Sequence, residues 1–488
     1  MGTVVTERIA VNDLVIDGVR TFHVPAPGPT RATLHVGVGL CDETFPMRGV
    51  THALEHVVMS ACPAVKHEHN AAVDRTTTTF WAAGRPQQVG AFLESVGSAL
   101  ADVPLDALER ERGVLAAERA GRGCTPHDVL LTARFGNRGL GLAPMTDLGP
   151  LATDDDALRA WAQRWFVRSN AVLTVLGELP PDLRLGLPDG PRPARRGERR
   201  RVQAGWFDIP GADPALGFLV EDSPAALHGT RALVERLERD LRHRRGLVYG
   251  IEPEAIRLPG EPVVAVQVGA SCAPGAAAEV ASAFAAELRE IAAHGTDDAD
   301  LDDDLESLDA YRESAGYLES ELVRAAELVL AGSPDQLWTD ARTTLEAVRP
   351  EQVSQAFVAA LGTALLLTPT PPEGTGALTS RTALCATIPR LSSPPLRRRL
   401  LSKAPPGTAL AVTDDGAQLL DENGDVHEVR FADCVGVGVD GPGRMLFAED
   451  GCAIWVSPRD FRGADEAVRT IDRRVAPAVF YTLEPVCS

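Results

Sequence analysis

The pentapeptide His52-Ala53-Leu54-Glu55-His56 holds the side chains from which a hydrolytic metal centre is built. On a helix, residues four apart lie on one face, so His52 and His56 can turn their imidazoles to a single cation, and Glu55 shares that face. A catalytic zinc commonly takes two histidines and one carboxylate and keeps a fourth position for water. The ion lowers the pKa of that water toward about 7, and a nearby carboxylate accepts its proton as it attacks a polarised carbonyl. Glu55 suits the proton-accepting role, and amide hydrolysis is the reaction expected. The plainer alternative is a pair of partly buried polar side chains on an ordinary helix.

The glutamate stands next to the second histidine rather than the first, the inverse of the usual zinc-protease helix. With its lead-in, Gly49-Val50-Thr51-His52-Ala53-Leu54-Glu55-His56 resembles the signature of the pitrilysin/insulinase family of zinc metallopeptidases. That family takes its third ligand from the second glutamate of a Glu-x6-Glu pair on a later helix, and Glu111 to Glu118 matches that pair. The resemblance therefore implies Zn2+ on His52, His56 and Glu118, with Glu111 orienting the site. Asn70-Ala71, followed by Thr78 and Phe80, resembles the family's edge strand, which takes an extended peptide by strand addition. Here Val73 and Phe80 replace the family's Thr and Tyr, His67-Glu68-His69 stands where glycines are usual, and the interval from His56 to Glu118 is shorter. His67 and His69 alternate as on a strand, in the manner of an accessory metal pair or of solvated loop histidines. Downstream, Arg242 and Tyr249 match the family's Arg-x6-Tyr pair, a guanidinium for peptide carbonyls or a carboxylate and a phenol for a developing oxyanion.

The elements needed to hold these residues can be placed from pattern. Strands fall between 5 and 40, the metal helix at 48–59, a strand at 73–82, and helices at 87–102 and 106–121. Asp154-Asp155-Asp156 opens a helix running to Trp165, since acidic residues favour a helix N-terminus. The run Asn170 to Gly177 reads as a closing strand. After a linker at 186–201 the layout recurs, with strands at 202–220, a helix at 224–243, a strand at 262–270, helices at 275–294, 299–332 and 350–362, and a strand at 364–368. This second half has no His-x-x-Glu-His and resembles the family's inactive repeat. The expected fold is α+β: a metallopeptidase domain over 1–185, an inactive repeat carrying the Arg-Tyr pair over 202–370, and a linker over 371–403. A small mostly-β domain over 404–488 completes it. In that last region short strands separated by Asp, Asn and Gly turns precede a helix at 463–474, an arrangement that resembles a pleckstrin-homology-like module.

The chain has 488 residues, a length that suits roughly three domains, and 44% apolar residues, ample for their cores. Its net charge of −20 argues against a nucleic-acid surface and favours basic peptides. The basic runs at 195–201 and 397–403 adjoin Pro-rich sequence and read as solvated linkers. No apolar segment approaches the roughly 20 residues of a membrane span, and no charged leader precedes an apolar run, so a cytoplasmic location is expected. The eight cysteines form no Cys-x-x-Cys, so reduced thiols are expected and a structural zinc is not. The sequence thus points to a zinc endopeptidase acting on short or unfolded peptides, leader or precursor peptides among them. The alternative is a catalytically silent chamber subunit or peptide-binding scaffold paired with an active homologue. Family members of this half size, of the mitochondrial processing peptidase kind, pair two chains around a chamber, which implies a homodimer or a heterodimer with a related subunit.

Overall fold

The computed structural model describes residues 2–5, 10–62, 68–121, 124–142, 149, 152–195, 197, 200, 203–209, 211–369, 378, 380–381 and 385–483. In chain order the first part contains β1 (Gly2–Val5), β2 (Ala10–Ile16), β3 (Val19–Val24), β4 (Thr30–Val36), α1 (Val50–Ala61), β5 (Glu68–Val73) and β6 (Thr78–Gly84). It continues through α2 (Pro86–Ala101), α3 (Leu108–Gly121), α4 (Pro126–Phe135), α5 (Asp155–Trp165) and β7 (Ala171–Leu176). The strands form one sheet in the order β1-β2-β3-β7-β4-β6-β5, parallel between β3 and β7 and antiparallel from β7 to β5. Helices α1, α2 and α5 bury their apolar faces on one side of it, around Leu34, Leu54, Phe80, Leu93 and Trp161.

The second part contains β8 (Gly205–Asp208), β9 (Ala215–Glu221), α6 (Pro224–Leu237), β10 (Glu252–Arg257), β11 (Val263–Gly269) and α7 (Ala277–His294). Then come α8 (Asp298–Glu313), α9 (Tyr317–Ala331), α10 (Ala341–Glu346), α11 (Pro350–Leu361), β12 (Leu365–Thr368) and β13 (Ser380–Arg381). Its sheet runs β10-β11-β9-β12-β8-β13, with β8 and β12 parallel and β12 to β10 antiparallel. Strand for strand, β8-β12-β9-β11-β10 repeats β3-β7-β4-β6-β5, so the recurrence expected from sequence is a recurrence of topology. The sequence had given no sign of how the halves are joined. Helix α4 leaves its own sheet and packs Leu130, Leu131 and Ala133 onto the second one, against Leu219, Ala265, Phe207 and Leu365. Its counterpart α9 packs Leu322, Ala325, Ala326 and Leu330 onto the first sheet, against Phe22, Val24 and Val172.

The third part contains β14 (Thr387–Ile388), β15 (Ala409–Val412), β16 (Gly416–Leu420), β17 (Val426–Arg430), β18 (Cys434–Asp440), β19 (Gly443–Ala448), β20 (Ala453–Val456), α12 (Ala464–Arg474) and β21 (Phe480–Thr482). Two four-stranded sheets, β14-β17-β16-β15 and β20-β19-β18-β21, enclose a core with Ala467, Val468 and Ile471 of α12. The region is mostly β, as expected, although β21 follows the helix and pairs in parallel with β18.

Several expectations need correction. The strand placed at 73–82 is two strands, β5 and β6, because Asp74 to Thr77 form the turn between them. The helix placed at 299–332 is broken at Ser314 to Gly316, and the one placed at 224–243 widens into a π-helix over Glu238–Arg244. Helices α4 and α10 and strands β10, β13, β14 and β21 were not anticipated. The basic run at 195–201 is no solvated linker where it is described. Arg195, only 12% exposed, pairs with Asp42 at 2.9 Å, and Arg200 pairs with Glu261.

Candidate metal centre

Helix α1 begins at Gly49, whose φ of +82° is the left-handed conformation that glycine adopts without strain. Its first amides are capped from a distance. The Glu43 carboxylate accepts from Gly49 N–H at 2.6 Å and Thr51 N–H at 3.0 Å, placing negative charge at the positive end of the helix dipole. Burial pushes the Glu43 carboxyl up to about 7, against the pull of those hydrogen bonds. The helix buries Val50, Ala53, Leu54, Val57 and Val58, which rotates His52 and His56 toward α3, the helix carrying Glu111 and Glu118.

His52 Nε2 lies 3.1 Å from His56 Nε2, and Glu118 Oε2 lies 3.4 Å from the first and 3.3 Å from the second. A tetrahedral zinc with bonds of about 2.0–2.2 Å holds its ligand atoms about 3.3–3.6 Å apart. The two imidazole–carboxylate sides of the triangle have that length, and the imidazole–imidazole side is slightly shorter, so the three atoms are close enough to share one ion. Despite the shortened interval, Glu118 stands beside both histidines. Glu111, buried and held by Arg110, lies 3.3 Å from His56 Nδ1. That pairing makes Nδ1–H the donor and leaves the Nε2 lone pair for a cation. Glu55 Oε2 is 3.7 Å from His52 Nε2. Burial pushes the Glu55 carboxyl up to about 7, with His56 opposing the shift and Glu118 adding to it.

The other expected site residues are placed as follows. Asn70 and Ala71 sit on β5, the sheet's outer strand beside α1. Thr78 and Phe80 are on the neighbouring β6 and point inward, Thr78 donating to Val38 O at 2.8 Å and Phe80 fully buried; they build the sheet. His69 packs against Phe92, and His67 lies outside the described residues. Arg242 bonds Glu238 at 2.6 Å and stands 5.9 Å from the ring centroid of Tyr249, which is 88% exposed. These two are brought together.

The second repeat holds a different network at the corresponding helix pair. On α6 and α8, buried His228 has Nδ1 2.7 Å from Asp304 and Nε2 3.1 Å from Thr296, and Arg231 makes a bidentate pair with Asp304. Both imidazole nitrogens are occupied, so this network is structural. Sequence reasoning missed it, and it missed Glu43, which reaches the first amides of α1 only through the turn that precedes the helix.

Among solved structures, a protease from Helicobacter pylori matches with a TM-score of 0.60 and 16% identity, over 74% of this chain and 100% of its own. An M16 peptidase inactive domain from Pseudomonas fluorescens matches with a TM-score of 0.59 and 14% identity, over 74% and 99%. The fold is that of the M16 peptidases. It is the fold that the pitrilysin/insulinase resemblance implied. No family model matches the sequence. An uncharacterized zinc protease of Mycobacterium leprae is 26% identical over 331 residues, 58% of this chain and 73% of that protein. Among the described residues, no helix of this M16-fold chain is long and apolar enough to cross a membrane.

Proposed function

We propose that the chain is a zinc-dependent endopeptidase of the pitrilysin/insulinase type. The observation that carries this reading is the triangle of His52, His56 and Glu118, close enough to share one ion and flanked by Glu55. Kinship with a zinc protease supports it. Zinc bound there would supply a Lewis acid that activates water and polarises the scissile carbonyl. The chain's own residues do the rest. Glu55, partly desolvated, takes the proton from the attacking water and returns it to the leaving amine. Glu111 holds His56 in the ligating tautomer. The outer strand β5, with Asn70 and Ala71, adds an extended peptide as a further strand, which selects short or unfolded substrates, leader and precursor peptides included, by main-chain hydrogen bonds. Arg242 and Tyr249 serve the substrate from the second repeat once the chamber is closed by a second copy of this chain or a related subunit, in the cytoplasm.

The test is Glu55→Gln in a quenched-peptide assay with zinc measured on the same samples. Turnover should fall by about 10²–10⁴ while bound zinc is kept, because only the proton acceptor is lost. Undiminished cleavage by the variant would remove Glu55 from the mechanism. Zinc binding without cleavage by the wild type, alone or mixed with a related subunit, would favour the silent chamber subunit.

A further inference from the structure

A second group of metal-type ligands lies where the second repeat joins the β-rich part. Cys385 sits in the short stretch between β13, which pairs with β8 of the second repeat, and β14, which pairs with β17. His427 is on β17 directly across from Thr387, and Cys452 follows the turn between β19 and β20. Cys385 Sγ is 3.1 Å from His427 Nδ1, and the ligand atoms of all three residues lie within 4.8 Å of one another. A cation with Zn–S bonds of about 2.3 Å and Zn–N bonds of about 2.0 Å holds such atoms about 3.5–3.8 Å apart, so these three lie near enough to share one ion.

The surroundings are built to match. His427 Nε2 lies 3.2 Å from Asp421 Oδ2, and Asp421 is itself fixed by the amides of Asn423 and Asp425. Nε2–H therefore donates to the carboxylate and the Nδ1 lone pair is turned to the sulfurs, the same carboxylate–histidine device that Glu111 and His56 form. Asp450 accepts from Cys452 N–H at 3.0 Å and from Ala386 N–H at 3.4 Å, so one carboxylate bridges both cysteine-bearing segments. Two sulfurs and a carboxylate gathered in this way repel one another if ionised, and a divalent cation removes the conflict. The missing Cys-x-x-Cys excluded only a local zinc knuckle; here the ligands come from distant segments.

We propose that Cys385, His427 and Cys452 bind a structural zinc, with Asp450 or water completing the tetrahedron. On binding, both thiols give up their protons to solvent and two thiolate–zinc bonds form. The ion fastens the junction to the β-rich part. It also reaches the first repeat, because Asn137 Nδ2 donates to Ala448 O at 2.9 Å and Cys452 O at 3.4 Å, and Arg138 pairs with Glu449 at 2.9 Å.

The experiment uses the full chain, purified under reductant and loaded with cobalt in place of zinc. A thiolate-to-cobalt charge-transfer band reports this site alone, because His52, His56 and Glu118 offer no sulfur. The band should appear in the wild type and in Glu118→Gln. Elemental analysis of Glu118→Gln should still find about one zinc per chain. Cys385→Ser and Cys452→Ser should lose the band, with circular dichroism reporting whether each keeps its fold. A reduced wild type and a reduced Glu118→Gln that both take up cobalt without the band would overturn the proposal. So would two fewer titratable thiols and no metal in chain isolated without reductant, since Cys385 and Cys452 would then form a disulfide. Neither the band nor the zinc count of Glu118→Gln depends on peptide cleavage, so this proposal can fail while the peptidase stands, and the reverse.

Discussion

At the residue scale, His52 and His56 were legible as a candidate metal pair from their i,i+4 spacing, and Glu118 only through the resemblance to the pitrilysin/insulinase family; the side chains that hold them in place were less so. Glu111 was named through the family's Glu-x6-Glu pair, and its contact with His56 Nδ1 gives it a testable task. Glu111→Ala should weaken zinc binding about 10–100-fold, and Glu111→Gln should recover part of that loss, because an amide oxygen can still accept from Nδ1–H. Equal losses in a zinc titration of the two variants would show that the charge of Glu111, not its hydrogen bond, matters. Glu43 was not read from sequence, since nothing in the spacing shows that residues 43 and 49 meet across a turn. Its carboxyl is pushed up to about 7 by burial, above the roughly 4.3 of an unfolded chain. Between those pH values the folded protein keeps a proton that the unfolded chain has lost, so stability falls as pH rises through this window and levels above it. The Glu43 contribution is fully present below about pH 4. Glu43→Gln carries no such proton. Urea unfolding of both proteins from pH 4 to 8 should show the variant gaining on the wild type, by a few kcal/mol at most; parallel curves would mean that Glu43 does not titrate in the fold.

At the element scale, periodicity located most helices and strands, because each buries one face on its own repeat's sheet. It failed where the partner is remote or the pattern is polar. Strand β10, Glu252 to Arg257, is an edge strand with a proline, an exposed Glu252 and a half-buried Glu254, so little apolar alternation marks it. Helix α4 shows an apolar face, but no local property says that it covers the other repeat's sheet, and the same holds for α9 in reverse. That exchange predicts that the two repeats unfold as one cooperative unit. Arg134 of α4, 4% exposed, donates to Gly217 O at 3.1 Å and to Thr363 O at 2.7 Å, closing the seam on the second sheet. Arg134→Ala leaves two buried carbonyls short of a donor and opens a void, at a cost of about 2–4 kcal/mol. Differential scanning calorimetry should show the two repeats shifting down together. A variant in which only the second repeat melts earlier would show that the exchanged helices do not couple them.

At the scale of the whole molecule, the β-rich part is not an appendage, because it packs against the turn that starts α1. Phe45 is 2% exposed and lies between Phe447, 4.9 Å between centroids, and Tyr481, 6.1 Å. The Arg48 guanidinium stacks 4.3 Å from the Phe45 ring and 4.7 Å from that of Tyr481. Gly49, the residue that opens α1, follows Arg48 directly. Gly436 of β18 faces this contact: a Cβ there would come within 2.1 Å of the Phe45 ring, so glycine is required by close approach. Gly436→Ala should therefore push Phe45 off the β-rich part, costing about 1–3 kcal/mol, and the displacement should travel through Arg48 and Gly49 to His52. Gly443→Ala offers a matched control, since its Cβ would clash at 2.5 Å with Trp455 inside the same part, away from the seam. Both variants should melt earlier, but only Gly436→Ala should raise the zinc concentration needed for half-maximal peptide hydrolysis. If both raise it equally, the metal centre senses the stability of the β-rich part as a whole. If neither does, the Phe45 contact holds the parts together without setting the geometry of the site.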